Sequence, residues 1–307
     1  RRHTRLLTVT GVQTCALPIW EEDAPATARL RETGAVILGK TTTPEFGWKA
    51  LGDSPLTGVT RNPWNLERTP GGSSAGAVAH VAAGMGPLAV GTDGGGSIRI
   101  PSSFSGFVGI KPTFGRVPAY PLSPFGIVAH VGPMTRTVAD CALMLDVLSG
   151  YDDRDPWAVP GRPSVAGDLD KGIKGLHIAY SPTLGYGRVD PEVREAVDRA
   201  AKVFADLGAA VDTVDPGFAN PRDAFMVLWT TGAAKVLSLG APTEDSRYTD
   251  HWGRVWQLRS WRVTTWFGSD WLLAFDLPVP DGSVGLETRV SSAGHDVQIA
   301  RMKLLAD

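Results

Sequence analysis

An α/β fold with a largely internal sheet is what this sequence predicts, on three observations. Short apolar runs bounded by glycine alternate with helical patterns along the chain. One helix, Ser74 to Met85, is built of small residues on every side, which suits burial with close backbone approach rather than a surface position. Glycine supplies 36 of 307 residues, about 12% against an average near 7%. That excess is concentrated between Gly71 and Gly132, beside predicted buried elements.

Taken in order, Pro25 to Thr33 reads as a helix stopped by Gly34, and Ala35 to Leu38 (AVIL) as a buried strand. The small-residue helix closes at Gly86-Pro87, and Leu88 to Val90 follows as a short buried strand entering a glycine cluster. Gly132-Pro133 reads as a turn after His130. Thr137 with Asp140 forms a capping box for an apolar-faced helix ending at Gly150. Leu176 to Tyr180 is a strand. Asp190-Pro191 opens an amphipathic helix with Val193, Val197, Ala200, Phe204 and Leu207 on one face, ended by Gly208. Ala209 to Val211 begins another strand.

Hydrophobic residues make up 43%, charged residues 20%, and the formal net charge is −2 with no basic block, so nothing electrostatic points to nucleic acid or a membrane surface. No apolar stretch approaches the ~18 residues of a membrane span. Two cysteines, Cys15 and Cys141, make a disulfide framework unexpected and give no zinc-ligand spacing, so no metal is expected and a cytoplasmic setting fits.

The chemistry is sought in two loops, Thr69-Pro-Gly-Gly-Ser-Ser-Ala-Gly76 and Gly91-Thr-Asp-Gly-Gly-Gly-Ser-Ile-Arg99. Each abuts a predicted buried element, which argues against flexible connectors. Consecutive glycines let successive backbone N–H groups converge on an anion, a phosphate or an oxyanion. No phosphate-binding glycine motif follows a strand. Gly72 to Gly76 formally satisfies G-x-S-x-G, but Leu66 to Pro70 before it cannot be the central strand that such a nucleophile elbow needs. His80 and His130, the candidate triad bases of that reading, are assigned structural places.

The stretches RNPWNLERTPGGSSAG, GPLAVGTDGGGSIRIPSSFSGFVGIKPTFGRV and HVGPMTRTVADCALMLDVLSG closely resemble the amidase-signature hydrolases, from about Ala24 to about Ala234. Two serine loops match in composition, order and separation. The resemblance implies an amidase-signature fold, a central mixed β-sheet covered by helices on both faces. It implies a Ser–cis-Ser–Lys triad, with Ser97 as nucleophile and Ser73, after a cis bond from Gly72, as relay. The backbone N–H groups of Gly94, Gly95, Gly96 and Ser97 match the oxyanion hole, and Asp93, Arg99 and Ser74 support the loops. Gly94 stands where relatives often carry an apolar side chain. The family's lysine lies on an upstream strand in a Lys-Asp-Asn-like context, farther before the first serine than this chain reaches. Lys40 and Lys111 match other family positions and are not expected to replace it.

Three segments follow: 1–19, whose VTGVQTCALPI (Val9 to Ile19) reads as translated sequencing adapter; 20–234, an incomplete amidase-signature domain; and 235–307, divergent and read as frameshifted, with five of ten tryptophans between Trp252 and Trp271. The resemblance implies hydrolysis of a carbon–nitrogen amide bond through an acyl-enzyme on Ser97. A glutaminase-type subunit of a tRNA-dependent amidotransferase, needing partner subunits, and an inactive fragment lacking its lysine are the alternatives. A small-molecule amide is the expected partner. No cofactor, nucleic acid or membrane is implied, and a homodimer is left open.

Overall fold

The computed structural model describes residues 22–54, 57–161 and 164–237, and the backbone of five strands between 244 and 302. The adapter-like segment 1–19, and the side chains of the tryptophan-rich stretch, lie outside the described residues. The chain divides into two units, one formed by Arg1–Arg162 with Thr231–Asp307 and the other by Pro163–Thr230.

In the first unit, Pro25 at the opening turn starts α1 (Pro25–Glu32), where a missing N–H costs nothing. Its Arg29 is buried and donates to the carbonyls of Leu148, Gly150 and Tyr151. A small antiparallel pair, β1 (Asp53–Ser54) with β2 (Gly58–Val59), precedes the serine loops. Helix α2 (Ala75–Ala82) and strand β3 (Leu88–Asp93) carry the two loops' flanks, and α3 (Arg99–Ser105) leads on to β4 (Val108–Gly109). Strand β5 (His130–Thr135) runs antiparallel between β3 and β4 in a three-stranded sheet. Thr137 caps α4 (Val138–Leu148), accepting from the Asp140 N–H and donating to the Asp140 carboxylate. Helix α2 packs on β3, β5 and α3, and α4 packs on β5 and α1. Ala77, Val78, Ile98 and Met134 form the buried centre, so α2, the second serine loop and β5 share one core.

In the second unit, β6 (His177–Tyr180) pairs in parallel with β7 (Ala210–Thr213) through the crossover helix α5 (Pro191–Asp206). Asp190 caps α5 by accepting from the Glu192 N–H, and the Tyr180 hydroxyl donates to Asp198. After β7 comes α6 (Arg222–Leu237). Beyond it, within the first unit, the backbone forms an antiparallel meander of β8 (Glu244–Thr249), β9 (Val255–Thr264), β10 (Asp270–Pro278), β11 (Leu286–Ser292) and β12 (His295–Met302).

The α/β class and the elements expected at α1, α2, β3, α4, β6, α5 and β7 are all present. Two expectations need correction. Ala35 to Leu38 is not a buried strand: no ladder partner lies beside it among the described residues, and Val36 and Leu38 are 84% and 70% exposed. Apolar content alone does not supply the neighbours a buried strand requires. Gly132-Pro133 is not a turn but the middle of β5. Proline is tolerated there because Ile110 N–H still donates to the Pro133 carbonyl, at 3.2 Å, and only the return bond is lost. The apolar face of α5 is present, yet Val193, Val197, Phe204 and Leu207 on it remain largely exposed.

Candidate active site

Ser73, Ser74, Asp93 and Ser97 are all buried, at 4%, 5%, 1% and 8% exposure, although they come from two loops separated by a helix and a strand. The first loop is shaped by close approach. A side chain at Gly72 would stand 2.6 Å from the Leu51 carbonyl oxygen, so only glycine fits. The Gly72–Ser73 peptide bond is cis. Ser74 then stitches the loops together: its N–H donates to the Ser97 carbonyl at 3.2 Å. Its hydroxyl donates to the Thr92 carbonyl and accepts from the Thr92 N–H, each at 3.2 Å.

The second loop is organised by one carboxylate. Asp93, at the end of β3, accepts from the N–H groups of Gly96 at 2.8 Å, Ile98 at 3.1 Å and Arg99 at 3.3 Å. The Arg99 guanidinium grips both its oxygens, Nε to Oδ2 at 3.0 Å and Nη2 to Oδ1 at 2.8 Å. Burial pushes this carboxyl up, but Arg99 and the Ile98 and Gly96 amides outweigh it and hold it below the usual carboxylate range. Gly96 itself sits at φ +122°, a conformation that favours glycine. Ser97 follows at the entrance to α3.

This arrangement refines the expected oxyanion hole. The Gly96 N–H is already committed to Asp93, whereas those of Gly94, Gly95 and Ser97 have no partner among the described residues. Neither the Ser73 nor the Ser97 hydroxyl makes a hydrogen bond among the described residues, to each other or to a lysine. Lys111 donates to the Pro112 carbonyl at 2.9 Å. Lys40 lines a cavity of about 560 Å³ together with Ser73, Ser74 and Thr92, and burial lowers its pKa. Leu38, Met85 and Met144 contribute apolar wall, and Ser97 is not part of the lining. The cavity therefore reaches Ser73 but not Ser97.

His80 lies on the rim of that cavity. His130 is placed against the second serine loop: its Nδ1 lies 2.8 Å from the Val128 carbonyl and 3.2 Å from the Asp93 carbonyl. Sequence reasoning missed this neighbour because Gly132-Pro133 hid the strand that pairs His130 with Asp93. The stitch through Ser74 also carries no signal beyond the motif's second serine. Among the described residues no group of three or more His, Cys, Asp or Glu could hold a metal ion, and no helix is long and apolar enough to cross a membrane.

Known proteins resemble this chain in both sequence and fold. The profile of the amidase family matches residues 6–257. An acylamidase of Rhodococcus erythropolis is 45% identical over 237 residues, covering 76% of this chain and 50% of that protein. A glutamyl-tRNA(Gln) amidotransferase subunit from Chromohalobacter salexigens is 44% identical over 196 residues, 62% of this chain and 39% of that one. Among solved structures, a bacterial aryl acylamidase of the amidase-signature enzymes superposes with a TM-score of 0.69 at 33% identity, covering 75% of this chain and 51% of its own. The chain thus spans half or less of the length of these curated relatives.

Proposed function

Since this chain belongs to the amidase family, we propose that it is the serine-bearing core of an enzyme that hydrolyses a carbon–nitrogen amide bond through an acyl-enzyme on Ser97. The observation that carries the reading is the stitching of two buried serines into one site by Ser74, with unpartnered Gly94 and Gly95 N–H groups just before Ser97. A serine hydroxyl is a poor nucleophile until a base takes its proton. Ser73 accepts that proton from Ser97 and passes its own to a neutral lysine. Ser97 Oγ attacks the amide carbonyl, and the Gly94, Gly95 and Ser97 N–H groups receive the developing oxyanion, an interaction whose loss typically costs about 3–4 kcal/mol. The proton returns through Ser73 to the leaving amine, and water releases the acyl group by the same relay.

The lysine is the family's, and no Lys-Asp-Asn stands in this sequence. Lys40, on the cavity wall with Ser73, is not hydrogen-bonded to it, so the hydroxyl pair waits for its base. Small acyl or aryl amides are the substrate class best supported, by the likeness to acylamidases. The 44% identity to an amidotransferase subunit favours a second reading, ammonia release from glutamine in company with partner subunits.

The test compares the chain as it stands with one extended upstream by a Lys-Asp-Asn-bearing strand, each assayed on an aryl amide. Turnover is expected in the extended chain and is expected to fall at least about a thousandfold in its Ser97→Ala and Ser73→Ala forms. Equal turnover with and without Ser97 rejects the mechanism, and no turnover in either chain favours an inactive fragment. Glutaminase activity that appears only with added partner subunits favours the second reading.

A further inference from the structure

We infer that His130 is a positioning residue of the nucleophile loop, anchoring it at the Asp93 main chain where β3 ends. The inference rests on the nucleophile assignment of Ser97 and adds to it a residue that the two serine motifs do not contain. Asp93 is the last partnered residue of β3 and His130 the first of β5. Past them the chain leaves the sheet for Gly94, Gly95 and Gly96, so this pair is the root from which the oxyanion donors extend.

The ring's chemistry at that root is set by its partners. Both atoms that Nδ1 approaches, the Val128 and Asp93 oxygens, are carbonyls. A carbonyl only accepts, so Nδ1 carries the proton and donates to both. Phe114 meets the ring edge-on, with centroids 5.8 Å apart and planes at 78°, and Phe114 itself rests against Trp157 at 5.8 Å. The imidazole therefore has a fixed plane and a fixed tautomer. Asp93 is then held twice: its carbonyl by His130, and its carboxylate by Gly96, Ile98 and Arg99. With either hold removed, the unpartnered Gly94 and Gly95 amides lose a fixed direction relative to Ser97. The Nδ1 proton is engaged by main-chain oxygens, so the role is geometric and moves no proton in the reaction.

The experiment follows sulfonylation of Ser97 by phenylmethylsulfonyl fluoride in the chain extended upstream by the Lys-Asp-Asn-bearing strand, located by peptide mass spectrometry. Varying the reagent separates its affinity from the limiting rate, and thermal melts confirm that each variant is folded. His130→Leu is expected to lower the limiting rate by about ten- to a hundredfold with affinity unchanged. His130→Asn, whose amide N–H stands near the place of Nδ1, is expected to recover most of it. Should the leucine variant not fold, His130→Gln, with its amide one methylene too far, takes its place. A parental rate in His130→Leu or His130→Gln, or an Asn variant as slow as either, overturns the inference while leaving Ser97 in place. No Ser97 adduct in the extended chain with His130 intact overturns the nucleophile assignment and the inference together.

Discussion

Asp93 has a fully buried side chain whose ion-pair partner, Arg99, is about half exposed, and it gathers three backbone donors besides. Its replacement by asparagine keeps the shape but removes the charge and one acceptor oxygen, leaving loop N–H groups unsatisfied. A loss of about 2–4 kcal/mol in urea unfolding is expected. The sign of the pH dependence follows from the lowered native pKa. The carboxylate's contribution is complete above the ordinary aspartate value near 4 and is lost as pH falls through the lower native value. The stability gap between parent and Asp93→Asn should therefore close in acid and hold constant above about pH 5. A gap that widens in acid would rule out this carboxylate as its source. At this scale the sequence was most informative. Ser73, Ser97, Asp93 and Arg99 sit within two short motifs, whose local order already places them. His130 was not legible, because its contact depends on strand register thirty-seven residues away in the chain.

Elements tell a more mixed story. Helices with a proline or aspartate at the start and glycine after the end were read within a few residues, since these signals act locally. What failed required knowing a neighbour. Ala35 to Leu38 has the composition of a buried strand and no ladder partner among the described residues. Strand β5 contains a Gly-Pro pair and is nonetheless the middle of its sheet, because the Pro133 carbonyl still accepts from the Ile110 N–H just past β4. Helix pairing is likewise a tertiary fact. Arg29 on α1 reaches three carbonyls at the end of α4 and just beyond it, so Arg29→Met strands three buried or half-buried acceptors. A destabilisation of about 3 kcal/mol is expected in denaturant titration. Thr137→Ala, which removes only the cap of α4, should cost about 1 kcal/mol in the same measurement. Equal costs for the two would mean that Arg29 contributes no more than an ordinary cap.

On the scale of the whole molecule, the first unit has a buried centre under α2, whereas the second leaves Val193, Val197, Phe204 and Leu207 largely exposed along α5. Exposed apolar stripes bind apolar dyes. The chain should therefore enhance the fluorescence of anilinonaphthalene sulfonate at neutral pH, and a Val197→Lys/Phe204→Lys double variant should reduce that signal by half or more (~50%). An unchanged signal would place the dye elsewhere.

The Ser74 stitch has a further effect, on how the protein keeps to itself. Strand β3 is the outermost strand of its three-stranded sheet, and outermost strands offer open backbone groups to other chains. The Ser74 hydroxyl occupies both the N–H and the carbonyl of Thr92, the outward pair nearest the second serine loop. By the alternation of an antiparallel ladder, only the outward groups of Leu88 and Val90 stay without a partner among the described residues. A foreign strand finds two residues to grip, too few for a lasting aggregate seed, and the same serine that joins the two loops also guards the sheet's margin.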